Sequence, residues 1–170
     1  TSIGSLVGGA YAAGRSTDEM AQRIQDADWD DLLSSKLPRQ VNSYRKKNDD
    51  ALGLISLELG LGDDLTVKLP NAAISTQKIE FFLRELTYAG TVNHFDELPI
   101  QYRAIATDLV TGKMVVFKDG DLVTAMRASM AVPGVFPAVN TAEYVLVDGG
   151  LVRNVPVDVA RETCADVVIA

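Results

Sequence analysis

The sequence predicts an α/β domain. Short apolar runs with the length of strands alternate along its 170 residues with segments that have helix caps and helical periodicity, which is the order of elements in an α/β fold. Hydrophobic residues make up 47% of the chain and charged residues 23%, as is typical of a globular domain. Since there is no repeat, low-complexity tract or linker, we expect residues 1–170 to form a single domain.

Helices are predicted where capping residues and apolar periodicity coincide. Ser16 and Glu19 have the spacing of a capping box, and Asp28 is placed to cap a short helix after it. Ser75 begins a helix with one apolar face, and Gly90 ends it. The predicted helices cover residues 5–13, 16–27, 28–33, 75–90, 121–130 and 156–163.

Strands are predicted at the short apolar runs between these helices. Turn residues at 60–64 separate the first two strands, and the Thr111-Gly112 pair separates the next two. The predicted strands cover residues 52–59, 65–69, 102–107, 113–117, 144–147 and 165–170.

The first five residues, Thr-Ser-Ile-Gly-Ser, match the second half of a G-x-S-x-G nucleophile elbow whose first glycine would precede Thr1. In such an elbow Ser2 lies on a tight strand-to-helix turn, and Gly4 helps the backbone to turn without clashes. The N–H of Ile3 is then placed to stabilise an oxyanion. The alternative is a serine N-cap in front of a buried helix of small residues.

A second candidate residue, Asp148, lies at the end of the predicted strand 144–147. Open α/β sheets place ligand sites at strand ends, and Gly149 and Gly150 allow a substrate or another backbone to approach closely. The alternative is a simple Asp-Gly turn.

The only histidine does not complete a Ser-His-Asp triad. The α/β-hydrolase order is serine, acid, histidine, and no histidine follows Asp148. His94 is therefore predicted to be a loop residue. If Ser2 is a nucleophile, its base is a carboxylate.

Four segments resemble the patatin-like phospholipase family, whose members hydrolyse lipid acyl esters with a Ser–Asp dyad. They are residues 1–14 (TSIGSLVGGAYAAG), 106–113 (ATDLVTGK), 127–136 (RASMAVPGVF) and 146–157 (LVDGGLVRNVPV). The resemblance implies a three-layer sandwich with a mainly parallel central sheet, Ser2 as nucleophile and Asp148 as general base. It also implies a phospholipase A-type reaction through an acyl-enzyme, with a phospholipid or other acyl lipid as substrate and no cofactor or metal.

The family's glycine-rich oxyanion loop lies upstream of the elbow and has no counterpart here. We therefore expect this chain to be a fragment of the domain that is truncated at both ends and lacks the first strand. Any signal peptide would lie upstream of residue 1. Residues 37–70 resemble a hairpin-containing insert of bacterial relatives that continue into an outer-membrane barrel. This looser resemblance predicts a secreted or outer-membrane-associated protein of a Gram-negative bacterium, with a cytoplasmic location as the alternative.

Composition and motifs exclude several other functions. The net charge of −7 argues against nucleic acid as a partner, although four basic residues between 39 and 47 leave peripheral contact with phosphate head groups open. No EF-hand loop, zinc cluster, P-loop or dinucleotide-binding fingerprint is present. Cys164 and Ser129 are interpreted as structural. The alternative to a lipid acyl hydrolase is a catalytically inactive lipid- or protein-binding module of the same fold.

Overall fold

The structure is a computed structural model that describes residues 1–33, 60–61, 67–68, 76–87, 92, 94–163 and 165–169. The helical elements in these ranges are α1 (Ile3–Ala12), α2 (Thr17–Asp26), α3 (Trp29–Leu32), α4 (Gln77–Thr87), α5 (Leu122–Ser129), a 3₁₀ turn (Gly149–Leu151) and α6 (Val157–Thr163). The strands are β1 (Gly60–Leu61), β2 (Val67–Lys68), β3 (Ala104–Asp108), β4 (Met114–Phe117), β5 (Val139–Asn140) and β6 (Val145–Asp148).

Four strands form one sheet in the order β4–β3–β6–β5, and each neighbouring pair is antiparallel. β1 and β2 also pair antiparallel, apart from that sheet. The α/β class is confirmed, but the expectation of a mainly parallel sheet is wrong for the described strands. For β3–β4 and β5–β6 the reason lies in the connections, because residues 109–113 and 141–144 are too few for anything but antiparallel neighbours.

Helix α5 lies in the middle of the core. Seven of its eight residues are buried, and it contacts α1, α4, β3 and β6. A Cβ added to Gly9 of α1 would lie 2.7 Å from Sδ of Met126, so the missing side chain lets the two helices approach closely. α5 therefore joins the helix that follows Ser2 to the strand that ends at Asp148.

Most of the predicted helices are present, with small changes at their ends. The capping box is confirmed, since the Ser16 side chain accepts from the N–H of Glu19 and the Glu19 carboxylate accepts from the N–H of Ser16. Asp28 caps α3 as predicted. α1 begins at Ile3, two residues earlier than predicted, so that Ser2 directly precedes the helix.

Two local predictions are wrong. Gly60 and Leu61 belong to a strand and not to a turn. Residues 165–169 form no strand, because a strand needs a neighbour to satisfy its backbone hydrogen bonds and none of the described strands pairs with this segment. The predicted strand 52–59, the Ser75 cap, the Gly90 stop and Cys164 lie outside the described residues.

Candidate active site

Ser2 occupies a strained turn immediately before α1. Its φ is 49° and its ψ is −122°, and it is the one non-glycine residue with positive φ in the described part of the chain. Side chains with a Cβ rarely adopt this conformation, and the cost is tolerated mainly where a site needs it. The Ser2 N–H donates to the carbonyl oxygen of Ser129 at 3.1 Å, which fixes the turn against the end of α5.

The side chains of Ser2 and Asp148 are hydrogen-bonded although 146 positions separate them in the sequence. Ser2 Oγ donates to Oδ2 of Asp148. Asp148 is the last residue of β6, and only 6% of its surface is exposed. The structure thus brings together the two residues that the sequence singled out.

Further contacts orient Asp148 toward Ser2. Its other carboxylate oxygen, Oδ1, accepts the N–H of Gly150 at 2.6 Å. Its own N–H donates to the carbonyl oxygen of Ala131 at 2.9 Å. The carboxylate is therefore held at one oxygen by the main chain, which leaves the other oxygen for the serine.

The two glycines after Asp148 allow the backbone to fold tightly at this point. A Cβ on Gly149 would lie 2.2 Å from the carbonyl oxygen of Ile105, and one on Gly150 would lie 2.9 Å from Oδ1 of Asp148. Both positions therefore exclude a larger side chain in this backbone conformation.

Ile3 and Gly4 form the first turn of α1, directly after Ser2. The N–H groups of a first helical turn have no carbonyl partner within the helix, and they point toward any negative charge that develops there. Tyr102 holds this turn in place, because its hydroxyl donates to the carbonyl oxygen of Ser5 at 2.9 Å and lies 2.6 Å from Ser5 Oγ. The burial of Tyr102 raises the pKa of its hydroxyl, so the group stays protonated.

The structure does not bring His94 and Ser129 into a second catalytic arrangement. His94 is exposed and forms an isolated antiparallel bridge with Asp119, and no hydrogen bond joins it to Ser2 or Asp148. Ser129 is fully buried, and its hydroxyl has no hydrogen-bond partner. Its contribution is the carbonyl oxygen that accepts from Ser2.

Sequence reasoning missed three groups that support the pair. They are the carbonyl oxygens of Ser129 and Ala131 and the hydroxyl of Thr107, which donates to the carbonyl oxygen of Asp148 at 2.9 Å. All three residues lie in the two middle motif segments, 106–113 and 127–136, so the motifs marked the right regions without indicating the roles.

The described residues include no group of three or more histidine, cysteine, aspartate or glutamate side chains arranged to hold a metal ion. Within the same ranges, no helix is long and apolar enough to cross a membrane.

A serine at a strained turn before a helix, hydrogen-bonded to an aspartate at a strand end, makes this a candidate site for a serine nucleophile with a carboxylate base. Comparison with known proteins gives the family of the chain. The family model for patatin-like phospholipases matches residues 1–161. The chain belongs to the patatin-like phospholipase family.

The similarity to known relatives extends over the whole length of this chain. An NTE family protein of Mycobacterium tuberculosis is 31% identical over 170 residues, which are 100% of this chain and 38% of the relative. A patatin-like phospholipase domain-containing protein of Caenorhabditis elegans is 31% identical over 172 residues, or 11% of its length. Patatin-like phospholipase domain-containing protein 6 of the mouse is 28% identical, again over 11% of its length. The chain thus corresponds to a minor part of each relative.

Proposed function

We propose that the protein hydrolyses lipid acyl esters, with Ser2 as nucleophile and Asp148 as general base. The observation that supports this most directly is the hydrogen bond from Ser2 Oγ to Oδ2 of Asp148. A base must lie within hydrogen-bond reach of the proton that it removes, and this one does. Membership of the patatin-like phospholipase family supports a fatty-acyl ester of a phospholipid as the substrate class.

The proposed reaction has two halves. In the first, Ser2 Oγ attacks the ester carbonyl carbon while its proton passes to Oδ2 of Asp148. The tetrahedral intermediate then expels the alcohol, which takes the proton from Asp148 and leaves an acyl-serine. In the second half Asp148 deprotonates a water that attacks the acyl carbon, and the released Ser2 oxygen recovers the proton.

The oxyanion in both halves requires hydrogen-bond donors. The N–H of Ile3 and the start of α1 supply donors from this chain. The glycine-rich upstream loop that the family resemblance implies would add others. Loss of one oxyanion donor typically lowers the rate by about 10²–10³.

Peripheral contact with a lipid surface completes the proposal. Apolar side chains near Ser2 and Asp148 in the sequence are exposed: Ile3 to 75%, Leu151 to 59% and Val155 to 57%. Exposed apolar side chains beside a site suit a substrate that is presented by a membrane. The location in the cell, secreted or at a Gram-negative outer membrane with the cytoplasm as the alternative, stays a prediction that fractionation would test.

Two substitutions in the intact protein test the proposed chemistry. Ser2→Ala should abolish ester hydrolysis and the adduct with a fluorophosphonate, while binding to phospholipid vesicles is retained. Asp148→Asn should be nearly as damaging, because the amide cannot accept the proton in the same way. Since the two residues act as a unit, the double variant should be little slower than either single one.

Ser129→Ala is the matched control for the nucleophile. It deletes a hydroxyl that is buried and has no hydrogen-bond partner, so adduct formation should persist. If the adduct forms in Ser2→Ala but not in Ser129→Ala, the nucleophile is Ser129 and not Ser2. A wild-type protein that binds vesicles and forms no adduct would support the inactive binding module instead.

A further inference from the structure

We infer that Thr107 is a positioning residue that holds Asp148 in the orientation required for proton transfer. The inference rests on the function proposed above and adds a residue to it. The Thr107 hydroxyl binds the main chain of Asp148 and not the Ser2 side chain, so it acts through Asp148.

The Thr107 hydroxyl is bound to the backbone at the end of β6. Thr107 lies on β3, is only 4% exposed, and pairs in register with Val147, the residue before Asp148. Its Oγ1 donates to the carbonyl oxygen of Asp148 at 2.9 Å. A buried hydroxyl thus contacts the peptide group at which the strand becomes a 3₁₀ turn.

Strand β3 confines the peptide between Asp148 and Gly149 at two points. The hydroxyl of Thr107 binds its carbonyl oxygen, and the carbonyl of Ile105 lies so near Gly149 that a Cβ there would be 2.2 Å away. On the other side of Asp148, its N–H is bound to the carbonyl oxygen of Ala131. Both backbone groups of the proposed base are therefore fixed.

This peptide determines where the carboxylate points. The N–H of Gly150, one residue further on, donates to Oδ1 of Asp148, while Oδ2 accepts from Ser2. If the peptide rotates, the Gly150 N–H moves away from Oδ1 and the carboxylate is free to turn. A misplacement of about 1 Å in an active site can lower the rate about a hundredfold.

Packing alone does not account for a threonine at this position. Valine has nearly the same shape and is equally suited to a buried strand. The hydroxyl is what distinguishes the two, and its hydrogen bond is to Asp148. The inference therefore concerns the hydroxyl and can be tested with a substitution that keeps the shape.

The test measures kcat and KM for a soluble chromogenic acyl ester and the rate of fluorophosphonate labelling, on the intact protein. Thr107→Val should lower kcat and the labelling rate about tenfold or more. KM should change by less than about twofold, because the Thr107 hydroxyl is bound to the main chain of Asp148. Thr107→Ser, which restores the hydroxyl, should recover most of both rates.

Thr87→Val is the matched control. Thr87 is 2% exposed, and its hydroxyl donates to the carbonyl oxygen of Leu83 at 2.8 Å within α4. The Thr87→Val substitution therefore removes a buried hydrogen bond from a threonine hydroxyl to a carbonyl oxygen, as Thr107→Val does, but one that does not involve Asp148. Its kcat and labelling rate should stay within about twofold of wild type.

The outcomes separate the inference from the function on which it rests. If the wild-type protein shows neither ester hydrolysis nor fluorophosphonate labelling, or if both persist in Ser2→Ala, the proposed function and the inference are overturned together. An active wild type with unchanged rates in Thr107→Val overturns the inference alone, as does a Thr107→Ser protein as slow as Thr107→Val. If Thr107→Val does not fold, Thr107→Cys replaces it, and wild-type rates with this weaker donor count against the inference.

Discussion

At the scale of single residues, the conformation of Ser2 is the least ordinary feature of the structure. A residue with a Cβ in such a backbone region costs about 1–3 kcal/mol, so other contacts must hold it there. Here the N–H of Ser2 is bound to Ser129 and its hydroxyl to Asp148. The strain aims Oγ at the carboxylate, which is the arrangement that the proposed proton transfer needs.

The same geometry predicts that His94 is dispensable for catalysis. In the intact protein, His94→Ala should leave the maximal rate and the acidic limb of the pH profile nearly unchanged, because His94 has no hydrogen bond to the Ser2–Asp148 pair. The measurement is kcat for a soluble ester across the pH range. A properly folded His94→Ala protein about a hundredfold slower than wild type would assign the base to the imidazole and end the dyad proposal.

Sequence reasoning found the side chains of the candidate site but not the main chain that holds them. Ser2 and Asp148 were recognisable because their motifs depend on residue identity. The carbonyl oxygens of Ser129 and Ala131 were not, since every residue has one and only the fold decides which of them faces the site. Thr107 was missed for a related reason, because a threonine in a buried strand is ordinary.

At the scale of elements, predictions from near neighbours in the sequence are accurate for the two helix caps but wrong for the turn at Gly60 and Leu61. The capping box at Ser16 and the cap at Asp28 depend on contacts three residues apart, and both are confirmed. The direction of β6 relative to β3 depends on strands that are far apart in the sequence, and the expectation of a mainly parallel sheet is wrong. The expected strand at 165–170 was wrong in residues 165–169 for the same reason, because its apolar residues do not specify a partner.

Adjacent glycines in α1 provide a test of how closely this helix packs on α5. A Cβ at Gly8 would meet Tyr102 at an ordinary 3.7 Å, whereas one at Gly9 would meet Met126 at 2.7 Å. Gly8→Ala should therefore raise the free energy of unfolding by about 0.5–1 kcal/mol through helix propensity. Gly9→Ala should lower it by about 1 kcal/mol or more through overpacking.

Urea unfolding of the two variants of the intact protein measures the difference. The substitutions share the helix, the residue change and the gain in propensity, so that each is the control for the other. Equal stabilisation by both would mean that the Met126 side chain moves aside freely and that α1 and α5 are not in close contact at this point.

At the scale of the whole molecule, the candidate site depends on parts of the fold that are distant in the sequence. Ser2 belongs to the start of α1 and Asp148 to the end of β6, with the core helix α5 between them. The Tyr102 hydroxyl adds a further link, since it ties the first turn of α1 to the residues that lead into β3. Conditions that release Tyr102 should therefore weaken the fold around the site.

Alkaline pH is such a condition. Burial raises the pKa of Tyr102 in the folded protein, whereas a tyrosine of the unfolded chain has a pKa of about 10. The stability from the protonated hydroxyl is thus fully present below about pH 10 and is lost as the pH rises toward the folded pKa, by up to about 1.4 kcal/mol per pH unit. Tyr102→Phe should be less stable than wild type at neutral pH but should lack this loss.

Urea unfolding of the intact protein between about pH 7 and pH 11 tests the prediction against Tyr144→Phe, which removes an exposed tyrosine. The advantage of wild type over Tyr102→Phe should shrink above about pH 10. Tyr144→Phe measures the effect of removing a tyrosine hydroxyl from the surface. Lysines ionise in the same range, but they are common to all three proteins and cancel in the comparison. If the difference in the free energy of unfolding between wild type and Tyr102→Phe does not change with pH, the Tyr102 hydroxyl has the same pKa in the folded and unfolded states. The proposed stabilisation of the first turn of α1 by the protonated hydroxyl would then be wrong.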